Sequence, residues 1–386
     1  MQRLLVLSMT LLTIITTITG IAVSAAALSQ APTQGQAQER PTLQLVAGLG
    51  DGVVAVEDFI GDPSLGLKTV RVAEGTRVSW TLGSDESHTV TFLAGQPAPA
   101  VFMLQPESPS RPPMLNPQLM FPTLPQGPWD GTTFIHSEMT QRGQETSVTF
   151  ARQGKYDYLC LFHPAMTGTV EVVAAGAPGI TAQSAVDAAA AVHYAQDHAG
   201  QVAEIYATRN APTRIEGPRG TNITMVRAGT DVRWGHVDIE AFMPDNVTVQ
   251  QGDTVVWYVD HVQPHTVTFH PTDGSHPDFI LIQLPDGRMI QPPPPDVPPP
   301  PEFLEMMANP ELAPRLVFGP AALRTSDPVH DGRSLYSSGM IGEHPLLDIP
   351  MQKAWGLTFN AAGTFEYMCA LHEQIGMKGI VTVLPR

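Results

Sequence analysis

The chain has 386 residues, enough for two or three domains with cores of their own. Acidic residues outnumber basic ones by 37 to 21, and a net charge of −16 argues against nucleic acid, and against an anionic lipid surface gripped by a basic patch, as partners. Only 15% of residues are charged, while 37 Pro and 33 Gly point to short elements divided by many turns.

At the N-terminus Arg3 precedes an apolar stretch from Leu4 to Val23 and the small residues Ser24 to Ala27. Residues 1–27 read as a secretory signal peptide or, being long enough, as an uncleaved N-terminal membrane anchor. Both readings place the body outside the cytoplasm: periplasmic, secreted or tethered to the outer face of the cytoplasmic membrane. Residues 28–41, rich in Gln, Ala and Pro, read as a disordered tether.

Beyond the tether the chain repeats itself. "TVRVAEGTRVSWTLGSDESHTVTF" begins at Thr69, and "NVTVQQGDTVVWYVDHVQPHTVTF" begins at Asn246. They align without a gap, His88 falling on His265 and Trp80 on Trp257. A second block, "GKYDYLCLFH" from Gly154, matches "GTFEYMCALH" from Gly363. The dipeptides Asp130–Gly131 and Asp331–Gly332 give a weaker third match. Both blocks alternate apolar and polar residues with period two, which is the pattern of half-buried strands. The expected fold is therefore all-β, with two antiparallel β-sandwiches: domain 1 at residues 42–175 and domain 2 at 213–386.

Between them, residues 176–212 form an Ala-rich linker expected to be helical, weakened near Gly200 and stopped before Pro212. His193 and His198 on it read as ordinary surface histidines. Residues 95–128, and 271–350 within domain 2, are proline-rich inserts. The second contains "QPPPPDVPPPPEF", expected as polyproline II, and "FLEMMANPELAPRL", expected as a short helix.

The chain has two cysteines, which in an exported protein read first as one disulfide. Their surroundings favour metal sites instead. Each copy supplies an upstream His and a Cys–His–Met loop: His88, Cys160, His163 and Met166 in the first, His265, Cys369, His372 and Met377 in the second. Two imidazoles, a thiolate and a weak thioether make up a type 1 copper site, because soft sulfur suits Cu(I) and imidazole suits both oxidation states.

The two loops resemble those of the cupredoxin (blue copper) family. "CLFHPAM" has the spacing of amicyanin, and "CALHEQIGM" that of plastocyanin and halocyanin-type loops. The resemblance implies Greek-key sandwiches with two type 1 copper ions per chain, and an electron-transfer protein serving a redox partner protein. Catalytic relatives such as nitrite reductases and laccases carry a His beside the copper-site Cys. Here the neighbours are Leu159 and Leu161, or Met368 and Ala370. One feature favours the catalytic alternative, a copper oxidoreductase with an additional copper: His270 follows His265 in "HTVTFH". His261, His276, His330 and His344 are further donors for such a site. A copper-sequestering protein without a redox partner is the third alternative.

Overall fold

The period-two blocks of both halves fold as strands of a β-sandwich. The computed structural model describes residues 41–386 apart from 51, 67, 104–112, 120–121, 210–211, 233–235, 292–314, 346 and 348; for 117, 197–204, 206–209 and 232 it describes the backbone alone. The leader, nearly all of the tether and the polyproline run lie outside the described residues. So do the side chain of His198 and most of the segment expected as a short helix.

Each half builds one five-stranded sheet of the same design. In the first half its order is Thr69–Ala73, Thr167–Val173, Gly154–Leu159, Thr91–Phe92 and Ile135–His136. In the second it is Asn246–Gln250, Lys378–Leu384, Gly363–Met368, Thr268–Phe269 and Tyr336–Ser337. Alternation decides the faces: Val70, Val72, Val170 and Val172 enter one core, and Val247, Val249, Val381 and Val383 the other. Trp80 and Trp257 anchor the opposite wall, meeting Phe92 and Tyr158, or Phe269 and Tyr367, edge to face. Truncating a buried ring of this size to alanine costs about 3–5 kcal/mol. The weak Asp–Gly match is structural too. Gly131 and Gly332 both adopt positive φ (84° and 79°), against the aromatic rings of Tyr156 and Phe365.

Most ladders are antiparallel, with parallel pairs such as Thr42–Leu49 beside Arg77–Gly83 and its counterpart Asn222–Val232 beside Thr254–Tyr258. The other wall of each sandwich departs from two bodies joined only by a linker. The two walls form one ten-stranded sheet across both halves. They meet where Val54–Ile60 pairs antiparallel with Val237–Met243, in the register Val56 to Val237 and Val54 to Ile239. Every residue of these two strands is buried, so neither shows the polar alternation of an edge facing water. Pairing the edges removes the exposed hydrogen-bonding groups that each sandwich would otherwise present.

The linker helix is a single element, Gln183–Arg209, running through Gly200 without a break. A helix-interior glycine costs about 1 kcal/mol. Tertiary packing outweighs it, since Ile205 is buried against Ile239, Ala241 and Met243, and Val186 joins the first core. His193, expected on the surface, is only 8% exposed because its face of the helix lies on the sheet, with Nε2 4.0 Å from Asp58 Oδ2.

The proline-rich inserts also join across the halves. Met114–Leu115 of the first pairs with Arg315–Phe318 of the second, and Phe102–Met103 and Ile280–Gln283 extend this small sheet on either side. Its apolar face gathers Val101, Phe102, Leu115, Phe318 and Leu347 over Leu161, with Leu371 packed alongside. Leu161 and Leu371 belong to the two Cys–His loops, so the inserts roof both loops.

A shared sheet and a shared roof couple the halves energetically. Thermal unfolding followed by calorimetry is expected to give one cooperative transition; two resolved transitions would show that the seam contributes little.

Candidate metal centres

The upstream histidines are fixed by backbone bridges. His88 exchanges hydrogen bonds with Thr140 (3.3 and 2.9 Å), and His265 with Ile341 (2.9 and 2.8 Å). The cysteines end the Gly154–Leu159 and Gly363–Met368 strands, and their amides donate across the loops to Met166 O (2.9 Å) and Met377 O (3.0 Å). The second loop is two residues longer between His and Met. The extra length folds as a 3-10 turn, Glu373–Ile375, closed by Gly376 at φ 100°.

These elements converge on two matching clusters. In the first, His88 Nδ1 and His163 Nδ1 are 2.8 Å apart, and Cys160 Sγ lies 3.9 and 3.4 Å from them. In the second, His265 Nδ1 and His372 Nδ1 are 3.2 Å apart, and Cys369 Sγ lies 3.8 and 3.5 Å away. A metal bound at about 2.0–2.3 Å to nitrogen and sulfur keeps its donors about 3–4 Å apart, so both sets fit one ion each. Each sulfur also accepts a backbone N–H, from Thr89 (3.4 Å) or Thr266 (3.3 Å). Met166 and Met377 are fully buried in the same apolar clusters as the cysteines. Both cysteines are buried and unbridged.

Residues 61–173, which hold the first cluster, match the family profile "Copper binding proteins, plastocyanin/azurin family". The match assigns residues 61–173 to a cupredoxin domain. Among solved structures it is similar to an M98A mutant of amicyanin in the Cu(I) form, at 20% identity over 34% of this chain and 82% of that one, with a TM-score of 0.21. It is also similar to a mutant plastocyanin of fern, at 16% identity over 42% and 99%, again with a TM-score of 0.21. No curated protein matches the chain.

Around these ligand sets both halves add features that lie outside the sequence motifs. Gly48 and Gly229 both hold φ at +68°, and a Cβ on either would sit 2.3 or 2.2 Å from Nε2 of His88 or His265. The close approach keeps each ring pressed between strand and sulfur. Its outer nitrogen then meets a different neighbour in each half: Ser84 Oγ at 2.9 Å from His88 Nε2, and His261 Nε2 at 3.0 Å from His265 Nε2.

Two glutamates complete the picture. Glu57 Oε2 lies 3.2 Å from His88 Nε2 and 3.3 Å from His163 Nδ1. Glu240 Oε2 lies 2.9 Å from His372 Nδ1 and 3.4 Å from His265 Nδ1. Both come from the seam strands, and a signal existed: "VEDFI" and "IEAFM" repeat Glu–x–Phe, with Asp58 the one other charged residue in either segment. Burial, then the charge of Asp238, holds the Glu57 carboxyl well above its usual range. For Glu240 burial acts the same way, but the charges of His372 and His265 outweigh it and bring the group down to about 2. Burial alone pushes His88 down to about 3.

The two centres share a cleft. His163 and His372, only 4% and 6% exposed, both line a cavity of about 220 Å³ with Phe162, Gln263 and His344. His344 Nε2 lies 2.7 Å from Phe162 O, and Glu86 Oε1 of the first half lies 3.7 Å from His372 Nε2 of the second. Of the other candidate donors, His330 packs among the rings of Phe269, Phe359 and Phe365. His270, His276 and Glu373 gather at the surface with ligand atoms within 4.8 Å of one another.

Adding one methyl at either glycine tests the packing against the ring. Gly48→Ala and Gly229→Ala are each expected to displace one histidine and lower copper uptake by one ion per chain, read by elemental analysis. Unchanged copper content in both would show that the rings are held by other means.

Proposed function

We propose that the protein is an extracytoplasmic electron carrier with two type 1 copper ions, one per half. The ions sit at His88–Cys160–His163 and His265–Cys369–His372, with Met166 and Met377 as the thioethers of the two loops. The observation that carries this reading is the duplication: the same two Nδ1 atoms and one Sγ converge in both halves. A buried, constrained mixture of nitrogen and sulfur donors lets copper change charge with little rearrangement. The leader-like pattern of residues 1–27 supports a body outside the cytoplasm, where a redox partner protein supplies and removes the electron.

Carriage is favoured over catalysis because no histidine flanks either cysteine, so neither thiolate has a covalent relay to a second metal. One observation favours the alternative of an additional catalytic copper. His270 Nε2 lies 3.3 Å from Met368 Sδ, next to Cys369, and His270 belongs to the surface group with His276 and Glu373. That glutamate is already engaged, with His276 Nε2 at 2.8 Å and Lys378 Nζ at 3.1 Å, which weakens it as a ligand.

Copper counting with visible and EPR spectra decides between these. The full chain is expected to bind two copper ions with a strong sulfur-to-copper absorption that a reductant bleaches reversibly. Cys160→Ser and Cys369→Ser should each remove one ion and part of the colour, and the double variant all of it. A third ion lost on His270→Ala would favour the oxidoreductase. Copper that stays bound but does not cycle would favour sequestration.

A further inference from the structure

We propose that Glu86, a residue of the first half, is a positioning residue for the second copper centre: its carboxylate meets the outer edge of the His372 ring across the seam and favours Cu(II) there. The assignment rests on the copper reading of the two clusters and deepens it.

The His372 ring turns Nδ1 toward Cys369 Sγ, 3.5 Å away, so Nε2 points away from the donor set. The nitrogen facing away from a metal is where an outer partner fixes a ligating imidazole and raises its basicity. Glu86 Oε1 lies 3.7 Å from that nitrogen, while Glu240 meets the same ring on its other side, at Nδ1 (2.9 Å). A contact of 3.7 Å is too long for a hydrogen bond, so the Glu86 carboxylate acts through its charge. The His372 and Glu86 side chains are only 8% and 13% exposed, and salt screens charge weakly at such depth. Positive charge on the ring, from a proton or a metal ion, in turn favours the ionised carboxylate.

The backbone around Glu86 is pinned to the first half. Ser84 Oγ donates to Glu86 O (3.1 Å) and lies 2.9 Å from His88 Nε2, which ties this segment to the first centre. Asp85 accepts from the Gly52 amide (2.8 Å) and from Arg142 Nη1 (2.9 Å). The Glu86 side chain therefore enters the common cleft of His163 and His372 from a fixed base.

The repeat makes the reach reciprocal but not the charge. Gln263 aligns with Glu86, as His265 does with His88. Its Nε2 also crosses the seam, donating to Phe162 O at 3.4 Å, next to His163. A neutral amide on a backbone carbonyl orients a loop, whereas a carboxylate beside a ligand ring also stabilises positive charge on it. The first centre meets acid from the other half by a separate route, since Asp238 and His163 have ligand atoms within 4.8 Å of each other. The effect of Glu86 is therefore read by comparing each centre with itself.

The test uses copper-loaded full-length protein in which Cys160→Ser leaves the second centre alone, or Cys369→Ser the first, each with and without Glu86→Gln. At the second centre Glu86→Gln is expected to raise the reduction potential by about 59 mV, an approximately tenfold loss of preference for Cu(II) over Cu(I). At the first centre the change should be clearly smaller, although Glu86 belongs to that half. An unchanged potential at the second centre, or equal shifts at both, would overturn the role of Glu86 while leaving the copper sites intact. Cys160→Ser protein that takes up no copper would overturn the underlying reading and this one with it. Should Glu86→Gln fail to fold, Glu86→Asp takes its place. That variant keeps the charge but withdraws it by one methylene, so it should raise the same potential by less, and an unchanged potential again overturns the assignment.

Discussion

The antiparallel pairing of Val54–Ile60 with Val237–Met243 is the contact on which the remaining architecture depends. It is only a few residues long, yet it turns two sandwich walls into one ten-stranded sheet. The pairing is reciprocal, as in a two-fold interface, so Glu57 and Glu240 take equivalent places at the seam. Glu57 and Glu240 therefore stand near each other's half, and each reaches back to its own histidines. Glu57, Asp238 and His163 have ligand atoms within 4.8 Å of one another, so the seam carries acidic groups from both halves. Positive charge at both centres is the natural balance for so much buried acid.

The same pairing turns the Cys–His loops toward each other. The histidines at the ends of both loops, His163 and His372, are almost fully covered. The proline-rich inserts add the roof, through Leu161, Leu371 and the small sheet above them. Water is thereby kept from both thiolates, which strengthens every electrostatic interaction inside. On the proposed function, His163 and His372 bring the two redox centres to one common cleft.

The ligand clusters were legible in the sequence because the chemistry allows few substitutes. Only thiolate, imidazole and thioether serve, and a loop between two strands fixes their spacing. "HTVTF" and the Cys loops therefore stand out in both halves. The shared sheet was not legible. Pairing between edge strands leaves no local period, and strands buried on both faces read merely as apolar runs. The glutamates were hidden for a related reason: Glu57 and Glu240 lie far upstream of the histidines they meet, in segments whose resemblance is little more than Glu–x–Phe. Propensity misled at Gly200, where packing of Ile205 against Ile239 and Met243 carries the helix through. It misled again at His193, whose burial is set by the sheet beneath the helix.

The central claim is that one chain holds two equivalent copper centres facing each other across a single seam. Anomalous diffraction at the copper edge, from crystals of the copper-loaded protein, tests it most directly. The account predicts two peaks per chain, one among His88, Cys160 and His163 beside Glu57, the other among His265, Cys369 and His372 beside Glu240. A single peak, or copper bound away from the cysteines, would contradict it.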